Sequence, residues 1–418
     1  MLSKFCQWFR ENYYEKWSFL VMAGALVASG VNYVFALIMG RLLGPGKFGE
    51  IVTLFGLLII FGVPATALTM FVSKHVPASG FASKSLFRLL TKIALISGLG
   101  LVAIFWFFIP RLSVFLNIEP IILFIFSLII PISFVSSVSI GVLQGLKNFF
   151  SYSLQGVITA ASKLILAVVF VLFGFLVPGV MLALFFSYLI SYFYTLRQIK
   201  PSLQKENDKS LNLRPLARDF VFILFVNLLL AILSNIDVIL AKHYLSPSAA
   251  GEYAALSTIG KILLYGTSAF VAVMFPLVAE AKTQNSGREH KIISRSLPVI
   301  FLISFLVVLF FSFFPQLTVK IFFGAKYLAI APFLPLFGAS MGMIAMAIAL
   351  VHFFVATNRK IFAGFFLAAI IFQIIFIALA HQNIEAFVKA LFWSSLFLTG
   401  SMFLNYLFVL KPKYAFKC

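Results

Sequence analysis

The stretch HYLSPSAAGE, residues 243–252, repeats the pattern of RLLGPGKFGE, residues 41–50. At an offset of 202 residues, four positions match without a gap: Leu43 with Leu245, Pro45 with Pro247, Gly49 with Gly251, and Glu50 with Glu252. Further along, PRLSV at 110–114 returns as PQLTV at 315–319, at an offset of 205 residues. Two matches in the same order at nearly equal offsets indicate an internal repeat, which predicts that the fold consists of two similar halves.

The composition of the chain places both copies in a membrane. Of its 418 residues, 62% are hydrophobic, 53 are Phe and only 11% are charged, which excludes a water-soluble globule. A membrane-spanning helix needs about 20 largely apolar residues. Twelve segments meet this requirement: 17–40, 50–73, 86–109, 120–143, 152–174, 178–197, 220–244, 252–277, 293–314, 329–355, 361–380 and 386–409. The sequence predicts an all-α polytopic membrane protein with about twelve transmembrane helices in two six-helix lobes.

The predicted domains follow from this division. The N-terminal six-helix lobe is 1–200 and begins with an interfacial segment, 1–16; the polar linker is 201–219, and the C-terminal six-helix lobe is 220–418. Because six is an even number, both copies enter from the same side, as in parallel repeats related by an axis along the membrane normal. In transporters built this way, the substrate site usually lies between the halves near the middle of the membrane.

The distribution of basic residues predicts the orientation. With the N-terminus inside, the inward connections and both ends hold 23 of the 32 Lys and Arg residues, and the outward loops hold six. This bias predicts that both termini and the linker are cytoplasmic, in a multi-pass protein of the cytoplasmic membrane. The net charge of +20 therefore reports topology and contact with anionic lipids, and nucleic-acid binding is not expected.

Patterns of enzyme chemistry are missing from the sequence. The five histidines are scattered without an HExxH motif, no Walker-type phosphate loop occurs, and the two cysteines, Cys6 and Cys418, lie at opposite ends of the chain. The sequence therefore predicts a transporter without a catalytic site or a bound cofactor.

Three charged residues within the predicted spans are expected to be buried: Lys163, Asp237 and Lys261. Charges in a membrane are costly and mark either function or structural pairing. Lys163, near the middle of the fifth span, is a candidate to attract an anionic head group, and the alternative is a lysine satisfied by structural partners. Asp237 and Lys261 lie at similar depth on adjacent helices, so they are expected either to serve transport or to neutralise each other. The repeat aligns Asp237 with Phe35, so the fold itself does not require this charge.

Four stretches together resemble a known family: GRLLGPGKFGEIVTLFGLLIIFGVPATALTMFVSKH (40–75), GVLQGLKNFF (141–150), NIDVILAKHYLSPSAAGEYAALSTIGKILL (235–264) and FFGAKYLAIAPFLPLFGAS (322–340). They are similar to the polysaccharide biosynthesis, or oligosaccharide flippase, family. That family belongs to the multidrug, oligosaccharidyl-lipid and polysaccharide exporter (MOP) superfamily. The resemblance implies two six-helix lobes around a cationic cavity that moves a polyprenyl-pyrophosphate-linked oligosaccharide to the outer leaflet, in O-antigen or capsule assembly. Membrane lipids and other polysaccharide assembly proteins are the further partners it implies.

The resemblance gives each candidate residue a role. Lys163, helped by Lys261 and Arg41, is expected to draw in the pyrophosphate. Asp237, with Asn235 as a polar neighbour, is expected to bind Na⁺ or a proton and couple transport to an ion gradient. In the related lipid II flippases, an acid on the equivalent helix has partners on the last helices of the second lobe, and the candidates for that role here are Gln373 and Thr399.

Two other functions remain open. A drug or small-metabolite exporter of the same superfamily would show the same repeat. A membrane polysaccharide polymerase or ligase is disfavoured, because such enzymes carry a large outward loop with acid, base or Arg groups, and this sequence has none.

Overall fold

The computed structural model describes residues 13–75, 82–204, 217–284 and 287–410, and nearly all of them are helical. The first half contains α1 (Tyr13–Phe61), α2 (Val63–His75), α3 (Lys84–Leu116), α4 (Pro120–Ser127), α5 (Ile129–Gly145), α6 (Phe149–Leu172) and α7 (Leu176–Ile199). The second half contains α8 (Ala217–Tyr244), α9 (Pro247–Gly260), α10 (Ile262–Thr283), α11 (Glu289–Phe313), α12 (Pro315–Phe322), α13 (Leu334–Ala356), α14 (Phe362–Leu379) and α15 (Ile384–Leu410). The predicted all-α membrane fold is confirmed.

Short irregular elements complete the described chain. Two 3₁₀ segments, Lys200–Ser202 and Ala325–Phe333, follow α7 and precede α13. A two-residue parallel pairing joins β1 (Ala82–Ser83) to β2 (Leu203–Gln204). Most of the predicted interfacial segment (1–12) and of the predicted linker (205–216), together with the C-terminal residues 411–418, lies outside the described residues.

Eleven stretches of the described chain are long and apolar enough to cross a membrane. The first of them, Leu20–Phe61, has 42 residues, about 63 Å at 1.5 Å per residue, which is twice a hydrocarbon core of about 30 Å. Its backbone leaves the helical conformation at Gly44, where φ is 72° and ψ is 175°. Gly44 precedes Pro45, and a positive φ favours glycine at this position. The bend divides α1 into two crossings, which gives the twelve spans that the sequence predicts.

Several helices contain breaks that the apolar pattern did not predict. The second predicted span is interrupted at Gly62, the fourth at Leu128 and the eighth at Lys261. Each break leaves apolar residues on both sides, so the hydropathy of the segment is unchanged and the sequence reads as one span. Two helices begin with a side-chain cap: the side chains of Asn148 and Ser246 accept hydrogen bonds from the first-turn amides of α6 and α9.

The chain forms two compact units. The first comprises the described residues of Met1–Leu42 and Leu58–Leu224, and the second those of Leu43–Leu57 and Phe225–Cys418. In the first unit, α6 and α7 pack along each other, and hydroxyl pairs such as Ser139 with Thr195 (2.7 Å) join neighbouring helices. In the second, the largely buried α13 packs against α10, α11 and α15. The sequence assigned residues 43–57 to the N-terminal lobe, whereas their contacts are with the second unit.

The two copies of the repeated loop meet within the second unit, which explains why 43–57 belongs there. A Cβ built at Gly49 would lie 3.0 Å from the backbone nitrogen and Cα of Gly251, and one built at Gly251 would overlap the carbonyl oxygen of Pro45. The matching glycines therefore allow two backbones to touch. Beside this contact, the Nζ of Lys47 lies 3.2 Å from the Oε1 of Glu50, and the nearby Lys242 is only 2% exposed.

Candidate functional site

Lys163 is held against the first helix of its own unit. It lies 14 residues after the start of α6, about 21 Å along the axis, and its side chain is buried, with 9% exposed. Its Nζ donates a hydrogen bond to the Oδ1 of Asn32 (2.6 Å) and lies 4.4 Å from the ring centroid of Phe35. Asn32 and Phe35 are three residues apart on α1 and so share one face of that helix. An amide oxygen and an aromatic ring both stabilise a cation while being electrically neutral.

Asp237 is buried in the second unit and is held by donors from a single helix. Only 2% of the residue is exposed. Its Oδ1 accepts from the Nζ of Lys261 (3.2 Å), and its Oδ2 accepts from the hydroxyls of Tyr253 (3.2 Å) and Ser257 (3.2 Å). Positions 253, 257 and 261 are four residues apart and therefore lie on the same face. The ion pair that the sequence offered as an alternative is present, and two hydroxyls complete it.

Lys261 lies at a break in its helix. It separates α9 from α10, and its backbone N–H donates to the carbonyl of Ser257 (2.9 Å). A Cβ on the preceding Gly260 would overlap the ring of Phe337, so α9 ends flush against α13. The glycine lets the helices approach closely, as small residues do in membrane proteins. This packing fixes the end of α9 from which the lysine reaches Asp237.

The other candidate residues of the second unit make contacts elsewhere. Asn235 is two residues from Asp237, so the two side chains leave α8 about 200° apart. Its Nδ2 donates to the carbonyl of Ala231 (2.9 Å) within the same helix. The hydroxyl of Thr399 donates to the carbonyl of Met343 (2.8 Å). Gln373 is 3% exposed, and its Nε2 has no hydrogen-bond partner in the described part of the chain.

Arg41 lies near the end of the first crossing of α1. It is exposed and three residues before the bend at Gly44. Phe35, which contacts Lys163, is six residues away on the same helix, about 9 Å along its axis. Arg41 therefore lies on the helix that holds Lys163.

The repeat relates the two buried lysines. At the offset of 202 residues, Phe35 in α1 corresponds to Asp237 in α8. Lys163 lies over the ring of Phe35 in the first unit, and Lys261 pairs with Asp237 in the second. Each unit thus places a lysine against the same position of its first helix, although the lysines come from different helices. The partners of Lys163 could not be found from the sequence, since Asn32 is 131 residues away in the chain.

A metal cluster of the usual protein type is not part of this arrangement. Within the described residues, no three His, Cys, Asp or Glu side chains lie close enough together to hold a metal ion. The carboxylate of Asp237 accepts three hydrogen bonds, one at Oδ1 and two at Oδ2.

Solved membrane transporters share this fold. An inward-facing multidrug resistance MATE family transporter of the MOP superfamily matches with a TM-score of 0.68 at 14% identity, over 92% of this chain and 97% of that one. The lipid II flippase MurJ, in an inward closed conformation, matches with a TM-score of 0.68 at 13% identity, over 92% and 87%. A MOP superfamily transporter from Pyrococcus furiosus matches with a TM-score of 0.63 at 14% identity, over 95% and 95%. The protein is therefore a multi-pass membrane protein with the MOP transporter fold.

The family model described as polysaccharide biosynthesis protein matches residues 14–282, more than half of the chain. The chain belongs to the polysaccharide biosynthesis protein family. The family resemblance inferred from the four sequence stretches is confirmed. A search of curated protein sequences gives no significant match.

Proposed function

We propose that this protein is a flippase that moves a polyprenyl-pyrophosphate-linked oligosaccharide from the cytoplasmic to the outer leaflet of the cytoplasmic membrane. Its family and its transporter fold support a role in moving a precursor of polysaccharide assembly. Sugars and a pyrophosphate cannot cross about 30 Å of hydrocarbon unaided, whereas a polyprenyl tail can remain in lipid throughout. Alternating access between the two repeats supplies a polar path for the head group.

The buried Lys163 is the observation that carries this proposal. The Asn32 amide and the Phe35 ring, which contact its ammonium, are neutral groups. A pyrophosphate oxygen is a stronger partner for an ammonium than either of them, because it carries a formal negative charge and adds ion–ion attraction to the hydrogen bond. Lysine acts as a point charge, which suits a phosphate that changes position during transport. Lys261 and Arg41 are the further cations proposed to contact the pyrophosphate.

We propose that Asp237 couples the cycle to a gradient of Na⁺ or protons. When Lys261 turns to the substrate, the Asp237 carboxylate loses its only cationic partner among the contacts described above and becomes a site for an external cation. Asn235, Gln373 and Thr399 are its proposed partners in that state. The buried Nε2 of Gln373 has no acceptor in the described residues, which costs about 1–3 kcal/mol. This cost supports a second arrangement of these side chains in which the Nε2 finds an acceptor.

Replacement of Lys163 tests the proposed function. Lys163→Ala should abolish transfer of a lipid-linked oligosaccharide to the outer leaflet in proteoliposomes, while Lys163→Arg should retain part of the rate because the positive charge remains. The matched control is Lys282→Ala, which removes an exposed lysine in the last turn of α10 and should transport normally. Normal flipping by Lys163→Ala, with the control also normal, would show that Lys163 is only structural.

The same proteoliposomes separate the rival functions. A drug or small-metabolite exporter would move small cations or metabolites and leave the lipid-linked oligosaccharide in place. A polymerase or ligase would change the length or linkage of the oligosaccharide, whereas a flippase leaves its covalent structure intact.

A further inference from the structure

The second unit carries an open pocket at the end of its helices. It has a volume of about 440 Å³ and lies among the α8–α9 connection, the end of the 3₁₀ segment before α13, and the α14–α15 connection. This volume falls in the lower part of the range for small-molecule sites, about 300–1,000 Å³. The pocket is therefore large enough for part of a ligand, and its lining does not include Lys163, Asp237 or Lys261.

The polar groups of the pocket are suited to hydroxyl groups. Its polar lining comes from Tyr244, Ser246, Gln382, Asn383 and Glu385. Gln382 is exposed, and its amide makes no hydrogen bond within the described residues. The Oδ1 of Asn383 caps α15 by accepting from the amide of Ala386 (2.8 Å), which leaves its Nδ2 donors directed elsewhere. An amide offers both donors and an acceptor and a carboxylate offers acceptors, and a sugar hydroxyl can donate one hydrogen bond and accept others.

The apolar surfaces of the pocket provide the complementary feature. The ring of Tyr244 stacks on His381, with centroids 4.4 Å apart and planes at 24°, so its orientation is fixed. Phe333, Leu245 and Ile384 supply the remaining apolar lining. A sugar ring presents C–H groups on its faces and hydroxyls around its edge. An aromatic ring in one lining with the amides of Gln382 and Asn383 matches that division of polarity better than it matches a uniformly apolar or uniformly charged ligand.

The connections that form the pocket lie at the outward ends of their helices in the orientation predicted from basic residues. We propose that this pocket binds sugar units of the oligosaccharide head group at the outer face of the membrane, an inference that rests on the proposed flippase function. The pocket receives the sugars after the pyrophosphate has passed the buried lysines, which holds the head group outside and disfavours its return.

A binding measurement without lipid or transport tests this pocket separately. The probe is the water-soluble oligosaccharide released by mild acid from the lipid-linked intermediate that accumulates when the protein is deleted. Titration of this probe into the full-length protein in nanodiscs should give saturable binding by ligand-observed NMR. Gln382→Ala and Tyr244→Ala should each weaken binding at least fivefold, and Tyr244→Phe should weaken it less because the ring remains.

Two controls make the outcome decisive. Gln284→Ala removes a glutamine that bonds Glu280 (2.9 Å) at the far end of α10 and should bind the probe normally. Lys163→Ala should also bind normally while failing to flip, so a failed flippase mechanism and a failed pocket give different results. Absence of probe binding by the parent protein, or equal binding by parent, Gln382→Ala and Tyr244→Ala, would overturn the proposal.

Discussion

Asp237 shows how an acid is accommodated within a membrane-spanning helix. An Asp at the centre of a span costs about 2.5–3.5 kcal/mol on insertion scales. Three donors offset this cost: the hydroxyls of Tyr253 and Ser257 in α9 and the ammonium of Lys261, the residue directly after α9. The similar depth of Asp237 and Lys261 could be read from the sequence, and the positions of Ser257 and Tyr253, four and eight residues before Lys261, were a signal for the hydroxyls. Whether the pair also moves during transport is a question of energetics that spacing does not answer.

Single and double substitutions distinguish a structural pair from a coupling acid. Asp237→Asn or Lys261→Met alone should lower the melting temperature, because each leaves a buried charge without its partner. The double variant should regain stability, since no unpaired charge remains. If Asp237 carries the coupling ion, the stable double variant should still fail to respond to an imposed Na⁺ or proton gradient in proteoliposomes.

The opposite result is equally clear. A double variant that flips the substrate at the parental rate and still responds to the gradient would make Asp237 a structural partner only. Melting temperatures measured on the same preparations exclude misfolding as the cause of lost transport.

At the scale of helices, the two repeated loops contact each other and do not serve only to join the helices on either side. The sequence predicted the loops as structural elements from their prolines and glycines. It did not predict that they touch, because an alignment of two copies carries no information on the distance between them. The internal breaks at Leu128 and Lys261 also escaped prediction: no proline or glycine adjoins Leu128, and Gly260 beside Lys261 lies in an otherwise continuous apolar segment.

Gly251→Ala tests this contact. The added Cβ would overlap the carbonyl oxygen of Pro45, so one backbone must move and the melting temperature should fall by several degrees. Gly266→Ala is the matched control: Gly266 lies in α10 with nothing within 4 Å of a built Cβ, so alanine should be neutral or slightly stabilising. Equal melting temperatures for parent and Gly251→Ala would show that the loops separate without cost.

At the scale of the whole molecule, the sequence determined the class of fold more fully than the division of the chain. Hydropathy predicts twelve crossings. A segment that crosses lipid must satisfy its backbone hydrogen bonds internally, so each long apolar segment is expected to form a helix. The boundary between compact units depends on packing, and the bend at Gly44 moves residues 43–57 into the second unit. Basic residues predict the orientation because Lys and Arg are enriched in the loops on the cytoplasmic side of a membrane. This preference does not depend on how the helices pack.

Labelling of single cysteines tests that orientation. In a background where Cys6 and Cys418 are replaced by serine, Ser248→Cys should react with a membrane-impermeant maleimide added to intact cells, and Lys282→Cys should react only after permeabilisation. Both side chains are exposed, so the difference reports the side of the membrane and not burial. The prediction follows from the 23 inward and six outward basic residues, an asymmetry that the reverse orientation would invert. Labelling of Lys282→Cys but not Ser248→Cys in intact cells would reverse the topology and place the proposed sugar pocket on the cytoplasmic side.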